Sequence, residues 1–280
     1  MKKLILSIVL ASLAFVLAAC GGENETNEAT EGNNQAKTIK IGATTVPHAE
    51  ILEEAKPLLA EKGIELDIEE FSDYPLINPA LAEGDLDANY FQHVPYLDNA
   101  NKENDFDLQN VGAIHIEPFG VYSNDYKSIE ELPEGAKIII SNNVAEMGRV
   151  LSLLEEKGLI KLDESVEKIN ATIDDIVENE KNLVIEDSVA PEMLASAYEN
   201  NEGDAVIING NYALAAGLNP AEDAIALEVG ENNPYANIIV VKKGDEDKEE
   251  IKALVEVLKS QDIKEFINSK YPGSVLPVNE

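Results

Sequence analysis

Residues 38–71, TIKIGATTVPHAEILEEAKPLLAEKGIELDIEEF, set the fold class of this chain. The apolar run at 38–46 predicts a strand. The segment 47–63 predicts a helix, because it begins with proline, ends with glycine and carries apolar residues along one face. Apolar and acidic residues alternate over 64–71, which is typical of a half-buried strand. Strand, helix and strand in this order predict the first unit of an α/β protein.

The same alternation continues to the end of the chain. Strands are predicted at 110–116, 136–140, 204–208 and 236–242, and helices at 94–104, 144–157, 190–199 and in two segments between 246 and 270. Alternating strands and helices of this kind predict an α/β fold with mostly parallel sheets.

The N-terminus has the pattern of an export signal. Lys2 and Lys3 precede an apolar run that falls short of the about 20 residues needed to cross a bilayer. The small residues before Cys20 resemble the lipobox of bacterial lipoproteins. This resemblance implies that 1–19 form a removed signal peptide and that Cys20 is lipidated. An ordinary signal peptide with a chance cysteine is the alternative.

Composition limits the remaining possibilities. Residues 20–37 carry no large apolar side chain, which predicts a disordered tether after Cys20. The formal net charge of −33 disfavours nucleic acid and anionic lipid surfaces as partners, because both would be repelled. The rest of the chain is long enough for one large domain or two lobes.

Arg149, in the stretch EMGRVLSLLEEKG at 146–158, is the only arginine of the chain. Lysine supplies surface charge equally well, whereas a guanidinium offers a planar, two-pronged contact to a carboxylate. A polar turn at 141–143 is suited to cap the following helix, so that Arg149 lies near a helix start, where anions bind. We therefore predict that Arg149 binds a ligand carboxylate. The alternative is an exposed ion pair with Glu146 at i, i+3.

Two further clusters predict a small-molecule site. The stretch ANYFQHVPYL at 88–97 concentrates aromatic side chains, and aromatic pockets edged by polar groups bind small molecules. For each single aromatic residue, core filling is the alternative. The stretches NGNYA at 209–213 and NNPYAN at 232–237 are rich in amides, which both donate and accept hydrogen bonds and so suit a zwitterion. Turn formation is the alternative for these asparagines.

Catalysis is not predicted. The chain contains no G-x-S-x-G, H-E-x-x-H or P-loop pattern, so we expect no enzyme and no cofactor. The histidines at positions 48, 93 and 115 match no local metal-binding spacing. No metal site is therefore predicted, although a zinc or manganese receptor remains the alternative function.

Six motifs in order resemble the methionine-binding lipoproteins of bacterial ABC importers. They are VPHAEIL, DANYFQH, HIEP, GR before a leucine-rich helix, INGNYAL and NPYANIIVV. The resemblance implies an α/β, two-lobed periplasmic-binding-protein-like fold with a hinge and a central cleft. It also implies that lobe 1 comprises 38–120 plus 232–280, that lobe 2 comprises 121–231, and that the chain crosses between them near 117–122 and 230–236.

The resemblance also implies roles for individual residues. Arg149 would clamp the α-carboxylate of the ligand, and Asn211 and Asn237 would bind its carboxylate and amino groups. The residues expected around the thioether side chain are Tyr74, Phe91, His93 and His115. The expected ligand is L-methionine or a close analogue, with stereochemistry and short methionyl peptides left open. The expected partners are an ABC permease, its ATPase and the cell membrane, which the lipid would reach from outside the cytoplasm.

Overall fold

The computed structural model describes residues 37–230 and 233–278, and two separate large sheets divide these residues into two lobes. The predicted signal peptide at 1–19, the lipidated Cys20 and the tether as far as residue 36 lie outside the described residues. Within the described ranges, no helix combines the length and the apolar composition needed to cross a membrane.

The strands are short and distributed along the whole described chain. In chain order they are β1 (Lys37–Thr44), β2 (Ile64–Phe71), β3 (Ala88–His93), β4 (Leu108–Ile116), β5 (Gly120–Tyr122), β6 (Lys137–Ser141), β7 (Lys161–Leu162), β8 (Ile176–Glu178), β9 (Val184–Val189), β10 (Ala205–Ile208), β11 (Ala226–Leu227), β12 (Asn237–Lys242) and β13 (Leu276–Pro277). The sheet of lobe 1 has the order β13-β4-β12-β3-β1-β2, and that of lobe 2 has the order β11-β5-β10-β6-β9. Strands β7 and β8 form a separate ribbon.

The helices pack their apolar faces onto these sheets. In chain order they are α1 (Glu50–Glu61), α2 (Ile77–Glu83), α3 (Val94–Asn104), α4 (Val144–Glu156), α5 (Leu194–Glu199), α6 (Gly210–Ala215), α7 (Pro220–Asp223), α8 (Glu249–Leu258) and α9 (Gln261–Lys270). In α1, Ile51, Leu52, Ala55 and Leu59 are buried and lie on one face of the helix, as a 3.6-residue period requires. That face meets α8 and α9 in the core of lobe 1.

The predicted two-lobed α/β architecture is confirmed, but the prediction of mostly parallel sheets is wrong. In lobe 1, β1 runs parallel to β2 and β3, whereas β12 runs antiparallel to both β3 and β4. In lobe 2, β10 is parallel to β6 and antiparallel to β5. Apolar patterning predicts that a strand is buried and gives no direction for it, so the sequence left the mixed pairing undetected.

Three differences from the sequence prediction have local reasons. The α-helical part of α1 begins at Glu50 rather than at residue 47, because a π-helical turn at Thr45–Ala49 precedes it. The predicted helix at 190–199 is regular only in α5, since Ala190 precedes a proline and is extended. Strand β9 was not predicted, because most of its side chains are exposed or half-exposed at the sheet edge.

The chain passes between the lobes twice within the described residues. The first crossing, 117–119, joins β4 to β5, and the second, 228–236, joins β11 to β12 and includes two residues that are not described. The two crossings run close together, since the N–H of Phe119 donates to the Glu228 carboxylate at 3.0 Å. The assignment of 38–120 plus 232–280 to lobe 1 and of 121–231 to lobe 2 stays a prediction.

Helix α4 lies unusually close to a neighbouring segment of main chain. A Cβ atom on Gly148 would approach the carbonyl oxygen of Ile169 to 2.6 Å and that of Lys168 still more closely. Backbone atoms cannot move aside as a flexible side chain can. Gly148 therefore fixes the position of the helix that carries Arg149.

Replacing Gly148 by alanine tests this contact, because the expected change in unfolding free energy is opposite in sign to the change that helix propensity predicts. Gly148→Ala should lower the free energy of unfolding by about 1 to 3 kcal/mol, because the added methyl group overpacks the contact. Helix propensity alone predicts a gain of about 1 kcal/mol. Urea unfolding measures the difference, with the exposed Glu156→Ala in the same helix as the control. A stabilised Gly148→Ala protein would contradict the close contact.

Candidate functional site

A cleft between the lobes brings together most of the residues that the sequence singled out. About 350 Å³ of space lies between and just above its lining atoms, part of it open to solvent. Its lining residues are Tyr74, Phe91, Gln92, His93, Tyr96, Glu117, Phe119, Glu146, Arg149, Asn209, Gly210, Asn211 and Asn237. Of the seven ligand-binding residues predicted from the sequence, six lie in this lining and only His115 does not.

One wall of the cleft is aromatic and comes from lobe 1. The ring of Phe91, on β3, lies 5.8 Å from that of Tyr74 and 5.6 Å from that of Tyr96. His93 ends β3 and caps α3, where its Nδ1 accepts a hydrogen bond from the N–H of Tyr96 at 3.2 Å. Burial and the nearby charge of Arg149 lower the pKa of His93 well below its usual value, so its ring is neutral.

The two predicted asparagines reach the cleft from opposite lobes. Asn211, on α6, accepts a hydrogen bond at Oδ1 from the hydroxyl of Tyr74 at 2.6 Å, which joins the lobes. Asn237, at the start of β12, accepts at Oδ1 from Nε2 of His48 at 2.9 Å. Because both carbonyl oxygens are engaged, the NH₂ groups are the parts of these side chains that remain to donate to a ligand.

Arg149 makes its two-pronged contact with a carboxylate of the protein itself. Its Nε donates to Glu228 Oε1 at 2.9 Å, and its Nη2 donates to Glu228 Oε2 at 2.6 Å and to the carbonyl of Glu117 at 2.7 Å. The guanidinium also stacks on Phe119 and Tyr235, at 3.9 and 4.7 Å from the ring centroids. Nη1 has no partner among the described residues and is the free donor.

The surroundings of Arg149 follow the sequence prediction in part. Asn143 caps α4, since its Oδ1 accepts from the N–H of Ala145 at 3.1 Å. However, α4 lines the cleft with the side chains of Glu146 and Arg149, beyond its first N–H groups. The alternative of an exposed ion pair between these two is wrong, because both are buried and Arg149 pairs with Glu228.

Breaking the pair between Arg149 and Glu228 should destabilise the protein strongly. Glu228→Ala leaves a buried guanidinium uncompensated, and losses of this kind cost about 3 to 5 kcal/mol of unfolding free energy. Urea unfolding provides the measurement. The matched control is Glu69→Ala, which removes the same group from the exposed pair with Lys40 at 2.6 Å and should have little effect. Equal losses in the two variants would contradict the structural role of Glu228.

Behind the cleft lies a buried network of two histidines and one glutamate. His115 donates from Nε2 to Glu117 Oε1 at 2.7 Å and accepts at Nδ1 from the hydroxyl of Tyr90. His48 accepts at Nδ1 from the hydroxyl of Thr44 at 2.7 Å and lies 3.2 Å from Glu117 through Nε2. These contacts fix one neutral tautomer for each ring. His115 therefore supports Glu117 from behind.

The same three side chains could in principle hold a metal ion. Ligand atoms of His48, His115 and Glu117 lie within 4.8 Å of one another, a grouping that sequence spacing did not reveal. Burial lowers the pKa of His48 to about 4 and that of His115 to about 3, and it raises the pKa of Glu117. Each donor atom already takes part in a hydrogen bond of the network, which accounts for the cluster without an ion.

Glu146 is the least compensated charge of the site. Its Oε1 accepts a hydrogen bond from Nδ2 of Asn209 at 2.6 Å, and both side chains are buried. Burial raises the pKa of Glu146 to about 7, although Arg149, Asn209 and Ser141 oppose the shift. Near neutral pH this carboxyl group is thus partly protonated.

The raised pKa predicts a specific pH dependence of stability. A carboxyl whose pKa is higher in the folded state stabilises the fold fully below its unfolded value, 4.5, and loses this contribution as the pH rises through about 7. Glu146→Gln removes the titrating carboxyl group and with it this pH-dependent contribution to the unfolding free energy. The unfolding free energy of the variant relative to wild type should therefore rise by about 2 to 3 kcal/mol between about pH 4 and about pH 8. Urea unfolding at both pH values tests this, and a constant difference would contradict it.

Sequence reasoning missed several carboxylates that organise the site. Glu117 and Glu228 lie at the two crossings, and Glu146 was considered only as a partner of Arg149. The chain has 54 acidic residues, so no local signal distinguishes these three. Glu117 is the glutamate of the HIEP motif, two positions after His115, which is the one hint the sequence contained.

Comparison with known proteins supplies an independent line of evidence. A sequence model of the NlpA lipoprotein family matches residues 39–279. The chain is 56% identical, over the full length of both proteins, to the methionine-binding lipoprotein MetQ of Bacillus subtilis (strain 168). Similarity of this extent covers both lobes and the N-terminal region.

Solved structures show the same likeness in three dimensions. A nutrient-binding protein from Burkholderia cenocepacia bound to methionine is 40% identical and matches with a TM-score of 0.81, covering 86% of this chain and 100% of its own. An ABC transporter periplasmic substrate-binding protein from Coxiella burnetii is 34% identical and has the same TM-score and coverage.

Proposed function

The chain belongs to the NlpA lipoprotein family, and from this premise we propose that it captures methionine between its lobes and delivers it to the permease of an ABC importer. It is a binding protein, not an enzyme. The observation that carries the proposal is the division of the cleft into an aromatic end and an end of charges and amides.

The aromatic end suits a thioether side chain. Tyr74, Phe91 and Tyr96 form a contiguous group of rings with centroids 5.6 to 5.9 Å apart. Sulfur atoms near aromatic edges gain about 0.3 to 1.5 kcal/mol per contact. His93, held neutral, adds a further ring at the same wall. The unbranched methionine side chain would lie along this wall.

The opposite end suits an α-carboxylate. Arg149 offers Nη1, and Asn211 and Asn237 offer their NH₂ groups, while their carbonyl oxygens already accept from Tyr74 and His48. Hydrogen bonds from a charged donor to a carboxylate are roughly twice as strong as neutral ones. Stacking and the pair with Glu228 hold the guanidinium in one orientation. We assign the ligand carboxylate to these three residues.

Capture would couple the ligand to the closure of the lobes. The ligand would touch lobe 1 through Phe91 and Asn237 and lobe 2 through Arg149 and Asn211. A ligand that contacts both lobes binds the closed arrangement better and shifts the population toward it. The crossings at 117–119 and 228–236 would act as the hinge. The closed protein would then present the ligand to the permease, whose ATPase powers transport.

The N-terminus would keep the protein at the membrane. We propose that Cys20 carries a lipid, because the relatives are lipoproteins, and that the working domain faces the outside of the cytoplasm. The net charge of −33 is unfavourable for contact with anionic lipid. Anchoring would therefore depend on the lipid and not on the protein surface.

Arg149→Lys should weaken L-methionine binding, and it should also lower the unfolding free energy, because it disturbs the buried pair with Glu228. A single ammonium cannot hold Glu228 with two contacts and also donate to a ligand, and loss of a buried charged contact costs about 2 to 5 kcal/mol of binding free energy. Isothermal titration calorimetry measures the affinities. Methionine amide, which lacks the carboxylate, is the matched ligand, and its affinity should change much less. Equal L-methionine affinities would contradict the role of Arg149.

The metal-receptor alternative is tested on the same wild-type protein. Its melting temperature should rise with L-methionine, because a ligand that binds only the folded state stabilises it. Zinc or manganese ions should leave it unchanged. A shift with either metal and none with L-methionine would replace the proposed function by the alternative.

A further inference from the structure

Two buried acceptor atoms at the cleft accept no hydrogen bond of ordinary geometry from the described residues, although the Ser141 hydroxyl lies near the Glu146 carboxyl group. They are Oε2 of Glu146 and Oδ1 of Asn209. The side chains are only 2% and 4% exposed, and both line the cleft. A buried acceptor without a donor costs about 1 to 3 kcal/mol. Two such acceptors on neighbouring side chains therefore favour a ligand group that donates hydrogen bonds to both.

The other polar side chains of the cleft are less suited to the same part. The carbonyl oxygens of Asn211 and Asn237 already accept one hydrogen bond each, from Tyr74 and His48, so each has one lone pair left beside an NH₂ group that donates. Arg149 has no acceptor atom at all. These three residues therefore suit the negative end of a ligand better than the positive end of an amino acid.

Glu146 and Arg149 are placed to bind the two opposite charges of one α-amino acid. They lie three positions apart on α4, so that their Cβ atoms are about 5–6 Å apart on one face of the helix. An α-amino acid carries its ammonium and carboxylate on neighbouring atoms. An acid and a base one helical turn apart, both facing the cleft, match that pair of charges.

We propose that Glu146, together with Asn209, forms the subsite for the α-ammonium group of the ligand. The inference rests on the proposed function and adds to it the recognition of the amino group. The amide of Asn209 donates to Oε1 of Glu146 at 2.6 Å, so the two side chains that carry the acceptors Oε2 and Oδ1 are in direct contact. An ammonium there would donate to both acceptors.

The electrostatics of the site agree with this assignment. In the free protein, burial raises the pKa of Glu146 to about 7, which means that its ionised form lacks compensation. A bound cation would supply it, because an opposite charge within a few ångströms favours the ionised carboxylate. A ligand with a carboxylate and no amino group would instead meet Glu146 as a like charge and be rejected.

The test compares two ligands on two proteins. L-methionine and 4-(methylsulfanyl)butanoate, which lacks only the amino group, are titrated into wild type and Glu146→Gln at about pH 8, the second ligand by displacement of the first. Glu146→Gln should weaken L-methionine roughly 10- to 100-fold, as for a charge-assisted hydrogen bond. The affinity for the des-amino acid should stay equal or increase.

Control variants separate the possible outcomes. Glu156→Gln removes an exposed charge from the same helix and should change neither affinity. Asn209→Ala keeps the charge of Glu146 and allows the same comparison of the two ligands if Glu146→Gln does not fold. Equal weakening of both ligands, or of neither, by both site variants would overturn the subsite. If wild type does not bind L-methionine, the proposed function fails first, and the subsite falls with it.

Discussion

The ion pair between Arg149 and Glu228 is the contact on which the site depends. The guanidinium joins α4 to the second crossing through Glu228 and to the first crossing through the carbonyl of Glu117. Phe119 donates from its main chain to the same carboxylate and stacks beneath the guanidinium. Buried ion pairs are favourable only when such additional hydrogen bonds complete them. A lysine at position 149 could not make these contacts together.

A second layer of buried polar groups orients the side chains that face the cleft. Thr44 and His48 hold the carbonyl oxygen of Asn237, and Tyr90 and His115 hold Glu117. The depressed pKa values of both histidines keep them neutral, so each ring donates from one nitrogen and accepts at the other. Fully satisfied networks of this kind specify a single arrangement. The amides that face the cleft are thus held in one orientation by the protein itself.

The sequence predicted the elements with strong local patterns and missed those that depend on distant partners. Helix α3 and strand β2 were predicted with correct bounds, because their apolar periods and end signals are local. The antiparallel insertion of β12 and the exposed edge strand β9 left no local trace. In the site, Arg149 was found because it is unique, whereas Glu228 is paired with it across 79 positions and resembles many other surface acids.

The uniqueness of the buried arginine has a spectroscopic consequence. In a ¹⁵N-labelled sample the chain contains one Nε–H group of arginine, so a single resonance reports on the contact with Glu228 and on the two stacked rings. That signal needs no assignment by mutagenesis and no attached label. Its shift and its exchange with solvent would follow the opening and closing of the protein directly, even while the domain is anchored to a vesicle or bound to a transporter.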